Sequence, residues 1–405
     1  MRVIVRKALL RRRDRSVPYA QISLAFLALI QVGLYDGAIG VLLPSMRAHY
    51  QVPQATIGLI FLCGAVGYIV VTFNIGLLTT RLGVGLFLCL GAAAYCASAL
   101  AISTMPPFIG LLALAVVLGG STAIFDAGLN AFIATLPRNT ALLNYLHACY
   151  GVGALTGPII ASTALALGLG WNAVYALWAA TSLSLLAGIG WTYRGWHIEQ
   201  HESEQHSNGN VMFTILKMRM VWYAALFLLF YVGAEVSMGG WGYTYLIHLH
   251  KEIGSLAAGW IVSGYWGGLT LGRLVLGTVA QRIGDKRAIQ LCLGGVVVGV
   301  GITWLSAAGI GAALGFFTIG FSFGPLFPTA IALMSRRLSV SLVPTAVGFM
   351  AGLGSMGAAT FPSLAGFLTQ QIGLWFLMPF VLVLTTIMVV VWAALQRPER
   401  AEVGG

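Results

Sequence analysis

Charge is scarce in this 405-residue chain: 8% of its residues are Asp, Glu, Lys or Arg, and only 11 are acidic. Set beside 59% hydrophobic residues and a mean hydropathy of +0.89, that scarcity excludes a soluble globular chain and marks an integral membrane protein. Other absences narrow the function. No G-x-x-x-x-G-K-[ST] run is present, which disfavours an ATP-driven pump. No H-E-x-x-H pair is present to hold a catalytic zinc. The cysteines Cys63, Cys89, Cys96, Cys149 and Cys292 sit inside apolar runs without C-x-x-C spacing, so they read as packing residues and not as a disulfide framework or zinc site.

What is present is long apolar runs. A spanning helix needs about 20 predominantly apolar residues, and twelve such runs are found, at 19–43, 55–80, 83–103, 108–136, 141–168, 172–193, 221–247, 256–280, 288–307, 310–335, 342–369 and 375–395. They are continuously apolar and do not alternate in and out, which predicts helices and not barrel strands. The net charge of +11 suits a nucleic-acid partner in number but not in placement. Arg2, Arg6, Lys7, Arg11, Arg12, Arg13 and Arg15 precede the first run, and Arg81, Arg138, Arg194, Lys217, Arg219, Arg282, Lys286, Arg287, Arg336, Arg337, Arg397 and Arg400 fall in alternate loops on the same side. Arg47 and Lys251 fall opposite. By the positive-inside rule both termini are expected in the cytoplasm of a multi-pass protein of the plasma membrane, the inner membrane in a bacterium. The basic charge is therefore topological, with the lipid bilayer and not nucleic acid as its partner. The first run is too long for a signal peptide and no small-residue cleavage site follows it, so it is expected as a retained span.

The polar segment from Tyr193 to Arg219 separates two sets of six runs. The expected organisation is a basic N-terminus at 1–18, a six-helix bundle at 19–193, a central cytoplasmic loop at 194–220, a second bundle at 221–395 and a tail at 396–405. His197, His201 and His206 in the central loop suit a solvated linker better than a metal tract. Motifs recur at an offset near 200 residues, as a duplication requires. GLLTTRLG at Gly76–Gly83 returns as GTVAQRIG at Gly277–Gly284, and GALTGP at Gly153–Pro158 returns as GAATFP at Gly357–Pro362. VGLYDG in the first run returns as VGAEVS in the seventh, placing Asp36 and Glu235 at nearly equivalent positions.

Two six-helix halves with these motifs resemble the major facilitator superfamily. That family carries G-x-x-x-D-R-x-G after the second and eighth spans, where charge pairs latch the halves. Gly76, Arg81 and Gly83, and then Gly277, Arg282 and Gly284, fit it, with Thr80 and Gln281 where the family has Asp. A narrower resemblance is to fucose:proton symporter-like proteins, which carry an acid four residues before an Asn in the fourth span and L-N-x-x-Q-x-F-N-x-x-G-x-x-x-G-P in the fifth. Here stand Asp126 and Asn130, then LNYLHACYGVGALTGP from Leu143 to Pro158, with His147 in place of the Gln and Tyr150 in place of the second Asn. YVGAEVSMGGW, Tyr231–Trp241, is also similar to sugar porters of this group. The resemblance implies substrate contacts from Asn144, His147 and Tyr150, and alternating access as the mechanism.

The residues support a site independently. Charged side chains at mid-bilayer cost about 2.5–3.5 kcal/mol and face a bundle interior or aqueous cavity. Asp36, Asp126 and Glu235 are the acids within the runs, each near its run's centre, so one midplane site is expected for proton coupling. A carboxyl in a partly dry cavity takes up and releases protons in the working range. Asp126 and Asn130, at i and i+4, share a face and suit either a proton carrier with its partner or an interhelical hydrogen bond. Asp36 is flanked by Gly33, Gly37 and Gly40, where backbone is exposed, and suits substrate or proton binding. Glu235 has Tyr231 one turn before it, so an internal hydrogen bond competes with a binding role. Trp241, Tyr35, Trp266 and Phe321 suit stacking on a sugar ring or plain packing. Arg273 is the basic residue inside a run and suits bonding to helix carbonyls or gating more than substrate binding. Gly153, Gly157 and Pro158 permit close helix approach and a bend, as gating elements.

The expectation is an all-α membrane protein of twelve transmembrane helices in two pseudo-symmetric bundles. It is expected to act as a monomeric secondary transporter, carrying a sugar or sugar-like solute in symport with protons. No cofactor or metal is expected beyond the coupling ion, for which sodium suits the same ligands. A proton-coupled exporter of amphipathic compounds, with a more apolar cavity, is the alternative. An intramembrane enzyme using His147, Asp126 and Glu235 is a third reading.

Overall fold

The computed structural model describes residues 18–136, 139–196, 208–339 and 341–396. The basic N-terminal segment, His197, His201, His206 and the C-terminal tail lie outside them. In chain order the helices are α1 (Tyr19–Tyr50), α2 (Leu59–Ser103), α3 (Phe108–Ala134), α4 (Asn139–Ala166), α5 (Trp171–Trp191), α6 (Asn208–Lys217), α7 (Arg219–Leu249), α8 (Gly254–Ile283), α9 (Asp285–Leu305), α10 (Gly309–Phe323), α11 (Leu326–Arg337), α12 (Val343–Ile372) and α13 (Leu377–Leu395). Among the described residues nine segments are long and apolar enough to cross a membrane. With α2 making a pass on either side of Gly83, α10 and α11 sharing one, and α8 and α12 included, the chain makes twelve passes.

Three elements differ from expectation for local reasons. The runs at 55–80 and 83–103 are one helix broken at Gly83, whose φ of 72° and ψ of 156° turn the chain sharply. Gly284, its repeat partner, has φ 88° between α8 and α9. A side chain at Gly83 would meet open space, so the backbone angle and not crowding requires glycine there. The run at 310–335 bends between α10 and α11 at Gly324–Pro325, because proline has no N–H to continue the ladder. Within the expected central loop stands α6, whose Ile215 is buried while Met212, Phe213 and Leu216 are exposed.

The two halves repeat one packing plan. In the first, α1 lies against α4 and α2 against α3; in the second, α7 lies against α12 and α8 against α10. Glycines set the closeness of the repeat-related pairs: a Cβ on Gly153 would strike the Ile30 carbonyl of α1, and one on Gly357 the Leu229 carbonyl of α7. The halves meet through α4 on α8, α2 on α12 and α1 on α7.

That meeting is one-sided. At the end bearing the Gln51, Met105 and Lys251 turns, Gln54 Nε2 donates to Thr369 Oγ1 at 2.7 Å and the Ala55 amide to Gln370 Oε1 at 2.7 Å. Ser363 Oγ donates to the Gly58 carbonyl at 3.0 Å, and Ser263 Oγ to the Leu155 carbonyl at 2.5 Å. Gly40 of α1 sits so near α7 that a Cβ would strike the Gly239 and Gly240 carbonyls. Toward the opposite end, which carries Arg81, Arg194, Lys217, Arg282 and Arg336, the halves part. There Gly76 of α2 and Gly348 and Gly352 of α12 have open space where a side chain would stand.

Candidate functional site

The cleft between the halves ends just beneath this seal, and the three acids gather there. Gly33 and Gly37 bring the α4 backbone against α1, at the Tyr150 carbonyl and at Ala154. That approach carries the Tyr150 ring to Asp36, and its hydroxyl donates to Asp36 Oδ2 at 3.0 Å. On α3, Asn130 Nδ2 donates to the Asp126 carbonyl at 2.7 Å and to its Oδ1 at 2.9 Å, the i+4 pairing its spacing allows. Oδ2 of Asp126 accepts from the Tyr68 hydroxyl of α2 at 2.5 Å.

In the second half Glu235 is 8% exposed. Its Oε1 lies 3.5 Å from Arg273 Nη2 of α8, while its backbone carbonyl accepts from the Tyr265 hydroxyl at 2.9 Å. The Arg273 Nε also donates to the Gly324 carbonyl at 3.3 Å, at the bend before Pro325. Tyr231, fully buried, stands within electrostatic reach of both Glu235 and Arg273.

These groups form one field. Asp36 feels the charges of both Asp126 and Glu235; His147, exposed on the cleft side of α4, feels Asp126 and Arg273; Tyr150 feels Glu235 and Arg273. Asp36 and Glu235, related by the repeat, thus lie within electrostatic reach of each other from opposite halves, one held by a tyrosine and the other paired with an arginine. The arrangement offers carboxyls able to exchange protons, a guanidinium, and hydroxyl, amide and imidazole groups able to bond a polar solute. Among the described residues no trio of His, Cys, Asp or Glu converges to hold a metal.

Several expected positions lie elsewhere. Trp241 does not line the cleft: it is 1% exposed, donates Nε1 to the Pro362 carbonyl at 2.7 Å, and packs against Phe61 of the other half within the seal. Trp266 is buried with its ring over Gly239, Tyr35 packs edge-on to Tyr175, and Phe321 stacks on Phe317. Aromatic packing accounts for all four. Asn144 is exposed on α4, about one turn nearer the basic end than His147. Arg81 and Arg282 are exposed, and Gly277 lies on α8, the helix that carries Arg282. Among the described residues an ion pair at that end joins Arg336 Nη1 to Asp285 Oδ2, at 2.7 Å. Gly153 and Gly157 seat α4 against α1, and Pro158 faces Gly259 of α8 within the seal, so this element joins both contacts. Tyr68 was not singled out by the sequence, and no spacing signals it, because its partner is on another helix.

The family model described as Major Facilitator Superfamily matches residues 25–251 and 233–405. Bypass of stop codon protein 6 of Saccharomyces cerevisiae is 24% identical over 401 residues, covering 88% of this chain and 78% of that protein. The glucose/mannose transporter GlcP of Bacillus subtilis is 24% identical over 277 residues, covering 64% of this chain and 66% of its own. Among solved structures, a mutant of the nucleoside transporter NupG superposes with a TM-score of 0.79 at 12% identity, covering 93% of this chain and 100% of that one. FucP, a transporter solved in the outward conformation, gives 0.64 at 15% identity, covering 94% and 98%. At these identities the structural likeness is one of fold.

Proposed function

This chain belongs to the Major Facilitator Superfamily, a family of membrane transporters and not enzymes, and we propose that within it the protein is a proton-coupled symporter of a small polar, sugar-like solute. The observation that carries this reading is the polar cluster beneath the seal: Asp126 held by Tyr68 and Asn130, with Asp36 and Glu235 within electrostatic reach of one another. Acids retained at bilayer depth are costly unless used, and transporters place solute and coupling-ion groups at the midplane between repeats. Relatives whose names include a glucose/mannose transporter support a sugar-like solute.

Alternating access follows from the one-sided seal. With the basic end in the cytoplasm, as charge placement favours, the cleft opens inward and the Gly40, Phe61 and Ser263 contacts close the outer gate. Outward opening requires those contacts to part and the exposed Arg81 and Arg282 motifs to close on the other side. We place the chain in the plasma membrane as a monomer with cytoplasmic termini, and take protons as the coupling ion. The amphipathic-exporter reading uses the same acids and differs in a more apolar cleft wall.

The test is uptake of labelled sugars into proteoliposomes under an imposed pH gradient. Accumulation that rises with an inward proton gradient and collapses with an uncoupler supports the reading; uptake that follows sodium alone at fixed pH refutes proton coupling.

A further inference from the structure

Resting on the transport reading above, we propose that Arg273 is the binding site for an anionic group on the solute, so that the substrate class is a hydroxylated carboxylate, a sugar acid, and not a neutral sugar. Arg273 is a mid-span guanidinium, and its side chain remains 29% exposed on the cleft. Its hold on Glu235 is end-on, through one Nη2–Oε1 contact of 3.5 Å, and Nε is turned to the Gly324 carbonyl. A guanidinium has five N–H donors in a fork that matches a carboxylate face to face. The pair as built leaves that fork unmatched to Glu235.

The surrounding groups fit the remainder of such a solute. Tyr231 on α7 and Tyr150 on α4 stand within electrostatic reach of the guanidinium, and so does His147. Asn130 lies beyond, at Asp126. His147, Tyr150 and Asn130 are partners for hydroxyls, while the fully buried Tyr231 backs the guanidinium. The two other acids already receive tyrosine donors, Tyr150 at Asp36 and Tyr68 at Asp126, and are less available to compete for Arg273.

Glu235 and a solute carboxylate compete for the same cation, which links anion to proton. A proton taken from water onto a Glu235 carboxyl oxygen neutralises the internal counter-ion, and the guanidinium N–H groups pass to the solute carboxylate. The O–H bond formed on Glu235 replaces one broken in hydronium, and no other covalent bond changes. One proton and one anion enter together, so the loaded cleft closes over the same net charge as the empty one, which spares the cost of occluding an added charge.

The experiment is binding of D-gluconate and D-glucose to the purified full-length protein, read by tryptophan fluorescence at about pH 6 and about pH 8, with uptake in proteoliposomes alongside. Gluconate should bind about 10-fold or more tighter than glucose at the lower pH, as a bidentate charge-assisted contact implies. Its affinity should fall by up to about 10-fold per pH unit where one proton is taken up with it. R273Q should remove the preference, and R273K should weaken gluconate by about 10-fold because a point charge does not make the fork. E235Q should make gluconate binding independent of pH. Equal affinity for the two solutes, or gluconate affinity unchanged in folded R273Q and R273K, overturns the proposal. Proton-driven uptake of glucose without any of gluconate overturns it while leaving the symport reading intact. Absence of binding and uptake for both solutes overturns the two together.

Discussion

Replacing the Asp126 carboxylate by an amide isolates the coupling charge from the architecture around it. The carboxylate accepts from Tyr68 Oη at 2.5 Å and from Asn130 Nδ2 at 2.9 Å. In Asp126→Asn the amide oxygen keeps the Asn130 contact and the amide nitrogen turns to Tyr68, whose hydroxyl accepts as readily as it donates. Both hydrogen bonds survive, so the stability change should stay within about 1 kcal/mol. What is lost is the proton. One pH unit is worth about 1.36 kcal/mol per proton, so with one proton per solute an imposed gradient of about two units supports roughly 100-fold accumulation. If Asp126 carries that proton, Asp126→Asn should reach a ratio near one. It should still bind solute and exchange internal for external label, because the neutral form mimics the protonated state permanently and has no differential effect left to drive net flux. The assay compares uphill accumulation and counterflow in the same vesicles, with a thermal melt as the folding control. A folded variant that still concentrates solute at the normal rate refutes the assignment and leaves Asp126 as a structural hydrogen-bonding group.

His147→Ala should weaken solute binding by about 1 kcal/mol, near fivefold, since it removes one polar contact from the cleft wall; unchanged affinity in a folded variant makes His147 a packing residue. In a background without the five native cysteines, Leu155→Cys with Ser263→Cys should cross-link α4 to α8 across the seal, where Ser263 Oγ already reaches the Leu155 carbonyl, and should block transport until reductant is added. Transport by the cross-linked protein would show that the seal need not open. Gly40→Leu should hold the outer gate apart, because its side chain meets the Gly239 and Gly240 carbonyls; lowered labelling of an outer-face cysteine probe would contradict this. Arg336→Ala should change the melting temperature little, since its pair with Asp285 lies at an arginine side chain 67% exposed, and such pairs are worth about 0–1 kcal/mol.

Much of this protein was legible before folding was considered, and the legible parts are local. Apolar runs of spanning length fix helices without reference to partners, since in lipid each backbone must satisfy itself. Gly83 and Gly284 were readable as repeat-related positions of one motif, but that each turns the chain through a positive φ emerged only in the structure. Asp36, Asp126 and Glu235 stood out because a charge in an apolar run is expensive wherever it points. The Asp126–Asn130 bond follows from i, i+4 spacing alone. Partners on other helices were another matter. Tyr68 reaches Asp126 from α2 because glycines such as Gly67 let α2 and α3 approach backbone to backbone, and Arg273 meets Glu235 from a different helix, α8. Trp241 looked like a cleft aromatic, yet the rotation of α7 turns it into the seal toward Pro362 and Phe61. The open end was decided at the same level, by which of two alternative sets of inter-half contacts is made. Composition and periodicity set what each segment must be; which face it shows, and to whom, is a sum over many distant contacts that exists only once the halves have packed.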